Sequence, residues 1–277
     1  MAEQSAPSRT ALVTGGSSGI GEATAKLLAA NGFTVYAAAR RIDRMRHLEQ
    51  FGIVPISVDV TDDDSTQRAV QTIINAEGSI DVLVNNAGYG SYGAIEDVPM
   101  DEARRQFEVN MFGLARITQL VLPAMRVRGA GRIINVSSMG GKIYTPFGGW
   151  YHATKHALEG WSDCLRLEVE PFGIAVSVVE PGGIKTEWGS IAADNLELVS
   201  ANGSYATAAV ETAESMRSLY RGNRLSSPEV VAKAVLAAAT AKRPRTRYAV
   251  GYMARPSILM RRLLSDRAFD WIIQRAA

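Results

Sequence analysis

The stretch Thr10–Gly32, TALVTGGSSGIGEATAKLLAANG, decides how this chain folds. A short β-rich run, TALVTGG, passes into GIGEATAKLLAANG, which has helical spacing and closes on Gly32. Gly15, Gly19 and Gly21 sit where the strand becomes the helix. Glycines there leave room for a tight turn and for a pyrophosphate to approach backbone N–H groups. The helix N-terminus adds favourable partial positive charge. A glycine pattern by itself says little, but at a strand-to-helix turn it points to nucleotide binding.

The same rhythm repeats. FTVYAAAR, IVPISVDV, IDVLVNNAG, GRIINVSS, IAVSVVEPGG and RYAVG read as further strands, with helices expected near 43–51, 61–78, 101–128, 150–172 and 228–241. The strands are nearly continuous apolar runs, as when helices cover both faces of a parallel sheet. Alternation of this kind predicts an α/β fold: a single-domain, Rossmann-like, doubly wound parallel sheet with right-handed crossovers. The domain is expected over 10–254, after a flexible polar tail over 1–9 and before a helical extension over 255–277. Residues 186–226 break the rhythm with a long mixed segment carrying Trp188, Ile191, Leu196, Leu198, Tyr205, Met216 and Tyr220. A loop of that length suggests a substrate lid.

Composition narrows the function. With 277 residues the chain can bury a substantial core, and its net charge of +2 lacks the basic excess of a nucleic-acid binder. The single cysteine, Cys164, excludes an internal disulfide and fits a reducing compartment. Within WSDCLRLEVE it reads as a buried small hydrophobe rather than a reactive thiol. No run is long and apolar enough for a membrane span, and the N-terminus lacks a signal core, so a cytoplasmic location is expected. No metal site is expected.

A second stretch carries chemistry. In YHATKHALEGW, Tyr151 and Lys155 lie four apart at the start of an expected helix, on one face. Reducing a carbonyl requires a proton donor at its oxygen, and oxidising an alcohol requires a base there. Free tyrosine, with a pKa of about 10, is a poor base near neutrality, and a nearby ammonium favours its phenolate. Ser138 ends a strand thirteen positions earlier, and ligands of such sheets bind beyond the strands' carboxyl ends.

The glycine spacing is T-G-x-x-x-G-x-G, Thr14 to Gly21, and it resembles the short-chain dehydrogenase/reductase family. NNAG at Asn85–Gly88, Asn110 in FEVNMFG, Ser138 closing INVSS, YHATK, and PGGIKT at Pro181–Thr186 follow in that family's order, over about residues 10–251. The resemblance implies that Tyr151 is the general acid/base and that Ser138 hydrogen-bonds the substrate oxygen. It makes Lys155 the holder of the nicotinamide ribose and tuner of Tyr151, and Asn110 the support of a water in a proton relay. The thirteen-residue interval favours Ser138 over its neighbour Ser137. Thr154 stands where the family often has serine.

For the cofactor, the resemblance implies contacts from Gly15, Ser17, Ser18, Gly19, Ile20, Gly21, Asp59 and Val60. Backbone groups of Asn86, Ala87 and Gly88 would line the adenosine side, and Pro181, Gly182, Ile184 and Thr186 the nicotinamide side. An acidic residue after the second strand would accept both ribose hydroxyls of NAD, whereas arginine can pair with a 2′-phosphate. VYAAARR places Arg40 and Arg41 there, so NADP(H) is expected, with Arg40 the main contact.

Met139, Ile143, Tyr144, Phe147 and Trp150, with Tyr89 and the 186–226 segment, would wall an apolar pocket. The chain resembles most the hydroxysteroid/retinol branch, so an apolar ketone or aldehyde (steroid-, retinoid- or lipid-like) is the expected substrate. A 3-oxoacyl ketoreductase is an alternative, though the chain runs on past Gly251. A non-catalytic NADP sensor is another, though none of the four catalytic positions is lacking. A homodimer or homotetramer is expected, paired through the helices at 101–128 and 150–172. The extension is expected to pack on the domain, ahead of a subunit interface or a membrane surface.

Overall fold

Each apolar run becomes a strand: β1 Thr10–Thr14, β2 Thr34–Ala39, β3 Val54–Ser57, β4 Val82–Asn85, β5 Gly131–Val136, β6 Ile174–Pro181 and β7 Arg247–Val250. In this computed structural model, which describes residues 9–276, they form one parallel sheet in the order β3-β2-β1-β4-β5-β6-β7. The chain winds outward from β1 in one direction to β3. It then returns to β4 beside β1 and winds the other way, which opens a crevice between β1 and β4 at the strands' carboxyl ends.

Alternation along each strand feeds two cores. Ala11, Val13, Val35, Ala37, Val82 and Val84 point to one face, which is covered by α1 Gly19–Ala30 and α8 Glu229–Thr240 through Leu28, Val231 and Val235. Leu12, Tyr36, Ala38 and Leu83 point to the other, under α2 Asp63–Glu77, α4 Gly113–Arg128 and α5 Gly149–Val169. Between α4, α5 and the sheet lies a buried amide layer. Asn85 donates to Thr118 Oγ1 at 3.0 Å and to Asn135 Oδ1 at 2.9 Å, and Asn135 donates to Ser162 Oγ at 2.9 Å. These bonds answer polar groups that burial would otherwise strand.

Several expectations change. Residues Ile42–Phe51 form a 3-10 helix, and the helix expected over 101–128 is α3 Met100–Phe107, a π turn Glu108–Phe112, then α4. The 186–226 segment is mostly helical rather than loop: α6 Trp188–Ser200 packs on α7 Ala206–Arg221. Cys164 is exposed, not buried, because the inward stripe of α5 is Leu158, Ser162, Leu165 and Val169.

Residues 1–8 of the expected tail lie outside the described residues. Arg9 is tied down: its carbonyl accepts the Thr34 N–H at 3.0 Å and its guanidinium donates to Ala239 O at 2.6 Å. The extension forms α9 Ala254–Leu263 and α10 Asp266–Ala276, and packs on the domain. Phe269 is fully buried against Tyr144, and the Tyr144 hydroxyl donates to Asp270 at 2.8 Å. Among the described residues, no helix is long and apolar enough to cross a membrane.

Candidate active site

The turn after β1 is built for close approach. Gly15 and Gly19 adopt φ of +68° and +53°, in the left-handed region, and a Cβ on Gly15 would lie 3.0 Å from the Ala87 backbone. Ser18 occupies the N-cap of α1 yet makes no side-chain cap, whereas Asp62 caps α2 by accepting the Ser65 N–H. The first N–H groups of α1 therefore face the crevice with no capping side chain on them, which fits a phosphate. Gly21 does something else: it does not line the crevice, and a Cβ there would lie 2.1 Å from the Gly15 carbonyl oxygen. Its absent side chain lets α1 dock on the turn. Gly21→Ala should push α1 outward, lowering the melting temperature and weakening dinucleotide affinity at least about tenfold by fluorescence titration.

One cavity of about 1180 Å³ runs along the strand ends. It brings together every predicted site residue except Gly21 and Asn110. At one end lie Arg40, Arg41, Asp59 and Val60, joined by Arg104 and Arg105 of α3, which the sequence reading missed. Partial burial raises the Asp59 carboxyl, but hydrogen bonds from the Thr61 N–H and hydroxyl and the charges of Arg40 and Arg105 outweigh it. The group is held below the usual carboxylate range. The N–H groups of Asn86 and Ala87 already donate to Thr14 Oγ1, both at 3.0 Å, so backbone contact with a ligand falls to their carbonyls.

In the middle stand Ser138, Tyr151 and Lys155. Tyr151 is buried, hydrogen-bonded to Ser138, and packed on Tyr92 and Trp188 with ring centroids 6.0 and 5.2 Å away. Burial pushes its phenol up to about 12, against the Ser138 hydrogen bond. Lys155 Nζ donates to the Val136 carbonyl at 2.9 Å and lies 6.0 Å from the Tyr151 ring centroid. Burial lowers Lys155 to about 8, with the Glu159 charge working against it. Burial is the larger influence on both groups, raising the phenol and lowering the ammonium.

Asn110 lies behind the cavity, in the π turn, 1% exposed. Its Oδ1 accepts the Tyr89 N–H at 3.0 Å, while its amide donates to Tyr89 O at 2.9 Å and to Thr154 Oγ1 at 3.1 Å. Thr154 Oγ1 donates to the Tyr151 carbonyl at 2.8 Å. These contacts make Asn110 a brace for Tyr89 and for the first turn of α5.

Below Lys155, Glu159 meets Lys142 at 2.9 Å and Arg247 at 3.1 Å, and Arg247 reaches Asp163 at 2.7 Å and Glu180 at 3.4 Å. Burial and the Glu159 charge raise Glu180 to about 7. A carboxyl raised on folding stabilises the fold fully below its unfolded value near 4.5 and loses that contribution as pH climbs through about 7. The stability gap between wild type and Glu180→Gln should therefore shift in favour of the variant by on the order of 1–3 kcal/mol from pH 4 to pH 8. Paired denaturant melts at the two pH values measure it.

On the substrate side, Met139, Ile143, Trp188, Ile191, Met216 and Tyr220 line the cavity as expected, with Tyr92, His152 and Leu219 added. Tyr89 lines it with its hydroxyl turned to Glu102 and within reach of the Arg40 and Arg105 charges of the adenosine end. Tyr144, Phe147 and Trp150 do not line it. Tyr144 is turned to the extension, and Phe147 stacks edge-on against Tyr205. Leu196 is core and Leu198 is solvent-exposed. Short-range sequence pattern carried no sign of Tyr92 or of the α3 arginines.

Comparison with known proteins identifies the family and agrees with the fold. Residues 9–196 match the family described as short chain dehydrogenase. The chain is 35% identical over 260 residues to a probable short-chain type dehydrogenase/reductase of Helicobacter pylori, covering 94% of each chain. It is 44% identical over 176 residues to 3-ketodihydrosphingosine reductase of Bacteroides thetaiotaomicron, covering 63% of this chain and 64% of the relative. A short-chain dehydrogenase from Streptomyces avermitilis superposes with a TM-score of 0.81 at 35% identity, with 98% of each chain covered.

Proposed function

The chain belongs to the short-chain dehydrogenase family, and from that premise we propose that it reduces an apolar ketone or aldehyde with NADPH. The observation that carries the reading is the meeting of Ser138, Tyr151 and Lys155 in the same cavity as the glycine turn and Arg40. When bound, NADPH would supply the hydride that reaches the carbonyl carbon. Ser138 accepts the Gly140 N–H at 3.0 Å, which leaves its own O–H to steady the carbonyl oxygen. Tyr151, protonated through burial, gives that oxygen its proton; the C=O π bond opens and a CH–OH forms. Lys155, which donates to the Val136 carbonyl, would stabilise the phenolate left behind and would hold the nicotinamide ribose through its remaining N–H groups. The phenolate would regain a proton from solvent. Arg40, with Arg41 and Arg105, holds the 2′-phosphate.

The substrate end has aromatic and aliphatic walls and no metal cluster among the described residues, and α6 with α7 acts as its lid. A relative named for reducing a keto group supports the lipid-like end of the expected range. Pairing of subunits is assigned to the helical stretches over 101–128 and 150–172, where Phe112 of the π turn and Leu167 of α5 are exposed. The test is NADPH oxidation over a panel of 3-keto long-chain bases, steroids, retinal and short polar ketones. Turnover should concentrate on the apolar members. Activity on none of them, with tight NADPH binding, would overturn the reading.

A further inference from the structure

The loop walling the substrate side, residues 139–148, is folded around a side chain the reaction does not use. His152 is buried beside Tyr151 on α5. Its Nδ1 lies 2.9 Å from the Gly140 carbonyl oxygen, and its Nε2 lies 3.1 Å from both the backbone nitrogen and the hydroxyl of Thr145. A carbonyl accepts and a backbone N–H donates, so the ring is neutral, with its proton on Nδ1. It fits because the loop offers it two glycines. A Cβ on Gly140 would lie 3.0 Å from Nδ1, and one on Gly148 would lie 2.7 Å from Cδ2. Gly140 in turn donates its N–H to Ser138 Oγ. The loop's own preferences work against its shape, since Phe147 takes φ +64°, a strained region for an aromatic residue.

We infer that His152 is a positioning residue: it clamps Gly140 and Thr145 across the loop and thereby fixes the Ser138 hydroxyl against the reacting oxygen. The inference rests on the dehydrogenase reading of the site. Protonation would set an Nε2–H against the Thr145 N–H, donor facing donor, and open the clamp. The titratable groups around the ring are Tyr151, Lys155 and His156 on its own helix and Tyr92 across the loop. Lys155 is turned to the Val136 carbonyl. Burial lowers the His152 pKa below the ordinary imidazole value, with the Gly140 carbonyl opposing and His156 assisting. The clamp is therefore intact at neutral pH and is lost as pH falls through that lowered value.

His152→Phe keeps a ring and removes both polar contacts, so kcat for ketone reduction should fall roughly 10- to 100-fold while NADPH affinity stays within about twofold. His152→Gln offers an amide oxygen to the Thr145 N–H and does not titrate. It should recover most of kcat and lose the acid limb of the pH profile. Wild-type kcat in His152→Phe, or an equal loss of kcat and NADPH affinity there, overturns the inference. So does a folded His152→Gln with the wild-type acid limb, which decides the matter if His152→Phe does not fold. Tyr151→Phe run alongside separates the two readings. An active His152→Phe beside a dead Tyr151→Phe removes only the clamp, whereas an active Tyr151→Phe removes the dehydrogenase reading itself.

Discussion

Tyr151→Phe leaves the protein folded and NADPH bound, and lowers ketone reduction by about three orders of magnitude or more. The substitution deletes one oxygen. The ring keeps its burial and its contacts with Tyr92 and Trp188, so the packing around α6 is retained. No buried group is orphaned either, because Ser138 Oγ still accepts the Gly140 N–H at 3.0 Å. What disappears is the proton donor, and general acids contribute about 10²- to 10⁴-fold. The loss should fall on kcat, with little change in KM for NADPH, since the group acts as charge develops on the carbonyl oxygen. Stopped-flow absorbance of NADPH separates hydride transfer from binding. Turnover within tenfold of wild type would mean that a group other than the Ser138-bonded phenol donates the proton.

How much of this was legible before the structure depends on the range of the interaction. The glycine turn, Ser138, Tyr151 and Lys155 each follow from local pattern: a strand end, a helix start, a four-residue spacing. The inner strands β1, β2, β4, β5 and β6 were readable because burial on both faces makes each a nearly continuous apolar run. The edge strands β3 and β7 are only partly buried and were read from the repeating rhythm. The α6–α7 pair was not, because it packs through Ala192, Ala193, Ala209 and Ala213, and alanine writes a weak hydrophobic period. Arg104 and Arg105 reach the adenosine end only through the path of the chain between β4 and β5, which no local pattern encodes. The burial of Tyr151 and Lys155 was not legible for a related reason. A spacing gives the distance between two charges but not their desolvation, and here desolvation is the larger effect on both Tyr151 and Lys155. Gly21 belongs to the same class: its motif position was right, and its part in helix docking appeared only with the backbone.

Arg40→Asp should exchange the cofactor preference, moving the ratio of NADPH to NADH kcat/KM by about 10²- to 10³-fold toward NADH. Arg40 follows β2 at the adenosine end of the cavity, exposed, with its charge felt by Asp59 and Tyr89. A guanidinium there makes charge-assisted hydrogen bonds to a 2′-phosphate, each worth about 1.5–3 kcal/mol, and about 1.4 kcal/mol is a factor of ten. An aspartate instead repels the phosphate and accepts from free ribose hydroxyls, so both terms push the same way. Neighbouring charge bounds the effect. Arg41 and Arg105 remain and keep some attraction for the phosphate, while Asp59 stands close enough to disfavour a second carboxylate. The swing should therefore exceed that of Arg40→Ala, and Arg105→Ala alone should cost about tenfold in NADPH affinity. Raising ionic strength should weaken NADPH binding more in wild type than in Arg40→Asp, because an exposed ion pair is screened over about 10 Å at 0.1 M salt. An unchanged cofactor ratio in Arg40→Asp would place Arg40 in solvent and transfer phosphate recognition to α3.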